Sequence, residues 1–101
     1  MSQQKARNKE AVRSDSAFVF TDEAWEDYLH WQKADPKVLR KINDLLEECR
    51  RDPFRGSGKP EPLVGSLMGF WSRRVSHAYR LVYLPQDGLT YVAACRFHYD
   101  D

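Results

Sequence analysis

The sequence predicts an α+β domain in which two N-terminal helices are followed by a mainly antiparallel, twisted sheet. Three observations predict it. Apolar residues recur at helical spacing through residues 38–49, and aromatic and β-branched residues crowd residues 70–99 between turn formers. The proline- and glycine-rich stretch DPFRGSGKPEP, residues 52–62, parts the two regions.

Residues 1–16 are polar and aperiodic and read as a flexible extension, which leaves residues 17–101 as a single domain. Ala17 to Phe20 form a short apolar strand. Thr21 then caps a helix whose first turn carries Asp22 and Glu23 at its positive dipole end, with Trp25, Tyr28, Leu29 and Gln32 on one face. Asp35 and Pro36 restart the chain as a cap and a pre-set first position. Val38, Leu39, Ile42, Leu45, Leu46 and Cys49 mark the strongest helical period, ending before Pro53. Regular structure stops through residues 52–62, which read as a loop containing Glu61. Three strands follow, at Phe70–Val75, Tyr79–Leu84 and Leu89–Tyr99, with Pro85 to Gly88 as a hairpin turn. Strict alternation in the last strand sets Leu89, Tyr91, Ala93, Cys95 and Phe97 on one face and Arg96 and His98 on the other.

The 101 residues are 42% hydrophobic and 31% charged, a globular composition large enough for one small core. No apolar run approaches the roughly 20 residues of a membrane span, and the N-terminus lacks the apolar middle of a signal peptide, so a soluble cytoplasmic protein is expected. Cys49 and Cys95 lie in apolar runs without paired spacing and read as buried thiols. His30, His77 and His98 show no ligand spacing with them, so neither metal nor cofactor is expected.

The formal net charge of +1 conceals a polarity: residues 21–48 hold eight acidic side chains against four basic, and residues 49–80 hold seven basic against two acidic. Such a basic half attracts polyanions without a basic average, although seven cations also serve simply to keep a loop and two strands solvated.

Within that half and just beyond it lie Glu61, Arg73, Arg74, Arg80, His98 and Tyr99. A carboxylate, guanidiniums and an imidazole suit RNA cleavage. A base takes the ribose 2′-hydroxyl proton, positive charge meets the phosphorane oxygens, and an acid protonates the leaving 5′-oxygen. Glu61, Arg80 and His98 can fill these three roles, arginine by virtue of its planar, permanently charged fork. Each also has a plainer reading: a solvated loop carboxylate, an arginine paired to an acidic helix, an exposed terminal imidazole. His77 is a rival acid placed between strands. Phe70 and Trp71 can stack on bases or be buried in the sheet.

Longer blocks narrow the choice. WEDYLHWQ at Trp25–Gln32, KINDLL at Lys41–Leu46, RRDPFRGSGKPEPL at Arg50–Leu63, GFWSRRV at Gly69–Val75, RLVY at Arg80–Tyr83 and AACRFHY at Ala93–Tyr99 together resemble the YoeB family of RelE-superfamily toxins. The resemblance, from about Phe18 to Tyr99, implies a RelE-like, microbial RNase-like fold. It also implies a ribosome-dependent endoribonuclease that cuts mRNA in the ribosomal A site of the 70S ribosome and is inhibited by a YefM-type antitoxin. By motif, Glu61 matches the family's general base, Arg80 its charge-stabilising arginine and His98 its general acid. Arg74, with Arg73 beside it, matches a phosphate-contacting arginine, Lys59 a basic loop residue, and Tyr99 the tyrosine that ends the typical family sequence.

The chain departs from that pattern at Val64 and Gly65, where the family usually presents a lysine and often a histidine, at Tyr79, where it commonly has a histidine, and in carrying Asp100 and Asp101 beyond Tyr99. The missing cation leaves a noncatalytic block of the A site as an alternative. A corepressor role is a further one, with operator DNA met only through the antitoxin. Monomer and homodimer both remain open.

Overall fold

The structure, a computed structural model, describes residues 17–98; the expected extension over residues 1–16, and Tyr99, lie outside the described residues. In chain order the elements are β1 (Phe18–Phe20), α1 (Asp22–Ala34), α2 (Pro36–Arg51), β2 (Glu61–Pro62), a 3-10 turn (Gly65–Leu67), β3 (Trp71–Arg74), β4 (Tyr79–Gln86) and β5 (Leu89–His98). The strands form one sheet in the order β1-β5-β4-β3-β2, with β1 parallel to β5 and every other pairing antiparallel. The α+β expectation holds. No helix among the described residues is long and apolar enough to cross a membrane.

Both helices begin where the caps predict. Thr21 Oγ1 accepts the Ala24 amide at 3.1 Å and donates to the Ala93 carbonyl at 3.1 Å, so one hydroxyl starts α1 and ties it to β5. Asp35 Oδ1 accepts the amides of Lys37 and Val38 at 3.1 and 3.4 Å ahead of Pro36. The helices cover one face of the sheet, where Ile42, Leu45, Leu46 and Cys49 of α2 join Ala24 and Trp31 of α1 against Leu81, Tyr83, Val92 and Cys95. Full burial of each large aliphatic side chain contributes about 1.5–3 kcal/mol. Burial pushes the Cys49 thiol up to about 11 and the Cys95 thiol up to about 12, so both are protonated at neutral pH.

Three local expectations are corrected. Glu61 belongs to a short edge strand, not a loop, because Glu61 and Pro62 pair with Ser72 and Trp71. Pro85 belongs to β4, opposite Thr90; β3 ends its pairing at Tyr83, so the missing proline N–H faces no neighbouring strand there, and the turn contracts to Asp87 and Gly88, at φ 54° and 77°. The alternation of β5 fails twice, between the pairs Tyr83–Val92, Val82–Ala94 and Arg80–Phe97. These bulges put Cys95 in the same core as Val92 while Ala94 and Phe97 lie opposite Val82 and Arg80. Arg96 lies within the second irregularity and is exposed. The backbone groups that a bulge withdraws from the ladder need other partners. The Cys95 amide donates to Asp27 Oδ2 at 3.1 Å, and its carbonyl accepts from Trp31 Nε1 at 2.9 Å, both from α1.

Candidate active site

The loop between α2 and β2 is shaped by one arginine. Arg73 is fully buried, and its guanidinium makes four hydrogen bonds and one ion pair within the protein. Nε donates to Tyr83 Oη at 3.1 Å, Nη1 to Ser57 O at 3.3 Å, and Nη2 to Asp52 O and Arg55 O at 2.7 and 2.9 Å, with Glu48 Oε1 3.8 Å from Nη1. Arg73 therefore contacts no phosphate, and that expectation is corrected: it lies on the helix-facing side of β3, opposite Leu81, where its fork pins three loop carbonyls. The Ser57 amide, 2.8 Å from Glu48 Oε1, together with Arg73, holds the Glu48 carboxyl below its ordinary value. Burial pushes the Tyr83 hydroxyl up to about 12.

Downstream of this anchor the chain turns sharply. Gly58 stands at φ +79°, and a Cβ there would lie 3.0 Å from the Arg74 carbonyl, so a side chain is both strained and crowded. Lys59 follows at φ 53°, left-handed for a residue with a Cβ, a conformation that persists only where its surroundings impose it. The turn delivers Glu61 to the sheet edge, with Lys59 Nζ 3.5 Å from its Oε1.

Register then decides what faces what. Glu61 pairs with Ser72, Ser72 with Val82 and Val82 with Ala94; two residues along, Arg74 pairs with Arg80 and Arg80 with Phe97. Directly paired residues and those two apart share a face, so Glu61, Ser72, Arg74, Arg80, Val82 and Phe97 all lie on the face turned away from the helices. There Glu61, Ser72, Arg80, Val82 and Phe97 line a cleft of about 280 Å³, walled by Leu63, Val64 and Leu67 of the connecting segment. Arg80 is 6% exposed and Arg74 is exposed. Two guanidiniums opposite one another on adjacent strands repel, and an anion between them relieves that repulsion.

Of the sequence-predicted residues, Glu61 and Arg80 meet in this cleft, Lys59 stands at its mouth on Glu61, and Arg74 extends the same face. His98 is not among the residues lining it. It ends β5 one residue beyond Phe97, opposite Tyr79, whose ring centroid is 5.7 Å from its own. His77 lies exposed in the bend between β3 and β4, His30 contacts Trp31, and Trp71 packs at the core beside Phe54. Sequence reasoning passed over Ser72, Val82 and Phe97 as ordinary strand residues; the pairing of Ser72 with Glu61 becomes visible only once Glu61 is read as strand. A second cleft of about 300 Å³, between Phe54 and the β4–β5 turn, holds Cys49, Arg50 and Asp87 but no imidazole. Among the described residues no three or more His, Cys, Asp or Glu side chains converge as metal ligands do.

Residues 20–99 match the family described as YoeB-like toxin of bacterial type II toxin-antitoxin system. Toxin YoeB of Escherichia coli strain K12 is 51% identical over 81 residues, 80% of this chain and 96% of that protein. Two structures from Staphylococcus aureus, a YoeB dimer at 41% identity and a YoeB-YefM complex at 40%, superpose with TM-scores of 0.77, each covering 83% of this chain and 98% of the other.

Proposed function

Because this chain belongs to the family of YoeB-like toxins of bacterial type II toxin-antitoxin systems, we propose that it is an endoribonuclease that cuts mRNA in the ribosomal A site. The observation that supports this reading is that Glu61 and Arg80 line one cleft on the open face of the sheet, with Arg74 on the same face; His98 ends β5 opposite Tyr79, one residue beyond Phe97 of that cleft.

The chemistry is an internal transfer. Glu61 takes the proton of a ribose 2′-hydroxyl, the 2′-oxygen bonds to phosphorus, and the bond from phosphorus to the 5′-oxygen breaks. Arg80 meets the charge that develops on the phosphorane, aided by Arg74 and Lys59. His98, acting from the end of β5, gives its proton to the departing 5′-oxygen, and Tyr99 adds a further contact to the phosphate. The products are a 2′,3′-cyclic phosphate and a free 5′-hydroxyl; protons and bonds balance with no metal or cofactor in the scheme. The ribosome supplies what so small a surface lacks, a message bent so that the 2′-oxygen already lies near its target.

A YefM-type antitoxin is the proposed partner, as in the Staphylococcus aureus complex. An acidic segment that covers Arg74, Arg80 and Lys59 would exclude RNA from the cleft. Operator DNA is met through that antitoxin, and the protein works in the cytoplasm, where its ribosomes are.

The test is mapping of message ends on programmed ribosomes with wild type, Glu61→Ala and His98→Ala. Wild type creates new ends in the A-site codon and both variants lose them. Equal cutting by all three overturns the residue assignment, and growth arrest without new ends favours a block of the A site by binding alone.

A further inference from the structure

The Ser72 hydroxyl is the group on this face that the reaction scheme leaves unused. Ser72 is 1% exposed, and its Oγ has no hydrogen-bond partner among the described residues. A buried hydroxyl without a partner costs stability that an alanine of nearly the same shape does not. The position lies in the cleft lining, directly across the β2–β3 pair from Glu61, where facing Cβ atoms stand about 4.5–5.5 Å apart.

The surroundings narrow what this hydroxyl can bind. Arg74, Arg80 and Lys59 offer only donors. Val82, Ala94 and Phe97 from β4 and β5, and Leu63, Val64 and Leu67 from the wall, have no polar side-chain atom. Among the described residues facing the cleft, the Glu61 carboxylate is the side-chain acceptor, and in the unliganded protein it is turned to Lys59 at 3.5 Å. A phosphate at the cleft mouth competes for the Lys59 ammonium and so frees Glu61 to turn inward.

We propose that Ser72 is a positioning residue: when a nucleotide enters, its hydroxyl donates to the Glu61 carboxylate, draws it away from Lys59 and fixes the oxygen that faces the ribose 2′-hydroxyl. This rests on the endoribonuclease reading. It gives the unpaired Oγ a partner that arrives only with substrate, and a charged acceptor makes that bond stronger than a neutral one. The hydroxyl thus weakens the resting protein and strengthens the reacting one.

The experiment compares wild type, Ser72→Ala and Glu61→Ala on ribosomes programmed with a cleavable message and, for affinity, with the same message carrying a 2′-deoxy residue at the scissile position. Ser72→Ala slows single-turnover cutting about tenfold or more, leaves affinity for the 2′-deoxy complex within about twofold, and keeps or raises the melting temperature. Unchanged cutting by Ser72→Ala while Glu61→Ala is dead overturns the role of Ser72 alone. A parallel loss of affinity shows that Ser72 touches the nucleotide instead, and a lowered melting temperature shows a structural role; either overturns it. No cutting by wild type overturns both this inference and the reading beneath it.

Discussion

Arg73 Nε donates to Tyr83 Oη at 3.1 Å, and Tyr83 Oη in turn donates to the Pro53 carbonyl at 2.6 Å, so two buried side chains of adjacent strands jointly grip the loop that carries Lys59 and Glu61. Three further guanidinium hydrogens reach the carbonyls of Asp52, Arg55 and Ser57 in the same loop. A lysine keeps the charge but cannot span these acceptors. Arg73→Lys leaves at least two part-buried loop carbonyls without their donor, at about 1–3 kcal/mol each. The expected loss is about 3 kcal/mol in urea denaturation, with a melting temperature lower by about 12 °C or more.

Glu48 gives the same anchor a pH dependence. The Ser57 amide, and Arg73 after it, favour the carboxylate, so the folded chain holds this group below its ordinary 4.5. A carboxyl lowered on folding supplies stability that is complete above 4.5 and is lost as pH falls through the folded value. Glu48→Gln is therefore less stable than wild type at neutral pH, and the gap narrows as pH falls below 4.5. Denaturation midpoints of both proteins across that range measure it; a gap that stays constant removes Glu48 from the acid response.

Trp31 and Asp27 hold the bulge of β5 from α1, and β5 carries His98. Trp31→Phe leaves the Cys95 carbonyl unpaired, and Asp27→Ala leaves the amide unpaired, each costing about 1–3 kcal/mol. Because both act on one peptide segment, the double variant costs less than the sum. Hydrogen exchange at the Cys95 amide reports the opening directly, and unaltered protection in Asp27→Ala refutes the anchor.

Val64 is 83% exposed on the wall of the cleft. Val64→Lys adds one exposed cation beside a bound phosphate, worth about threefold in affinity for the programmed ribosome at low salt. The gain fades as salt screens it. Titrations at low and high ionic strength check both halves of the expectation.

Much of this architecture was legible in the sequence because its signals are local. Thr21 and Asp35 announce the two helices, the period from Val38 to Cys49 announces the buried face of α2, and Asp87 and Gly88 announce the hairpin. Glu61, Arg80 and His98 could be assembled from reaction chemistry and motif, but sequence leaves open how far His98 stands from the other two. What stayed hidden depends on distant partners. Neighbouring arginines look alike, yet Arg73 alternates in phase with Trp71 and Val75 and so enters the core, while Arg74 alternates with Ser72 and meets the open face. That phase was the available clue. The bulges around Ala93 to Arg96 carry no glycine or proline marker, since Asp27 and Trp31, some 64 and more residues away, supply the bonds that sustain them. A two-residue strand such as Glu61–Pro62 is too short for any periodicity.

The place of β5 constrains how the chain reaches this state. It is the fifth strand to be made and yet lies inside the sheet, with Phe18 aligned to Thr90 on one side and Tyr79 to His98 on the other. A nascent chain that stops short of Leu89 offers β1 no neighbour and leaves the indole of Trp31 without its carbonyl. Closing so wide a loop costs entropy before any contact repays it, which makes acquisition of the sheet late and cooperative. The cleft, which Phe97 of β5 helps to line, thereby stays incomplete while most of the chain is already synthesised, and the two helices precede it.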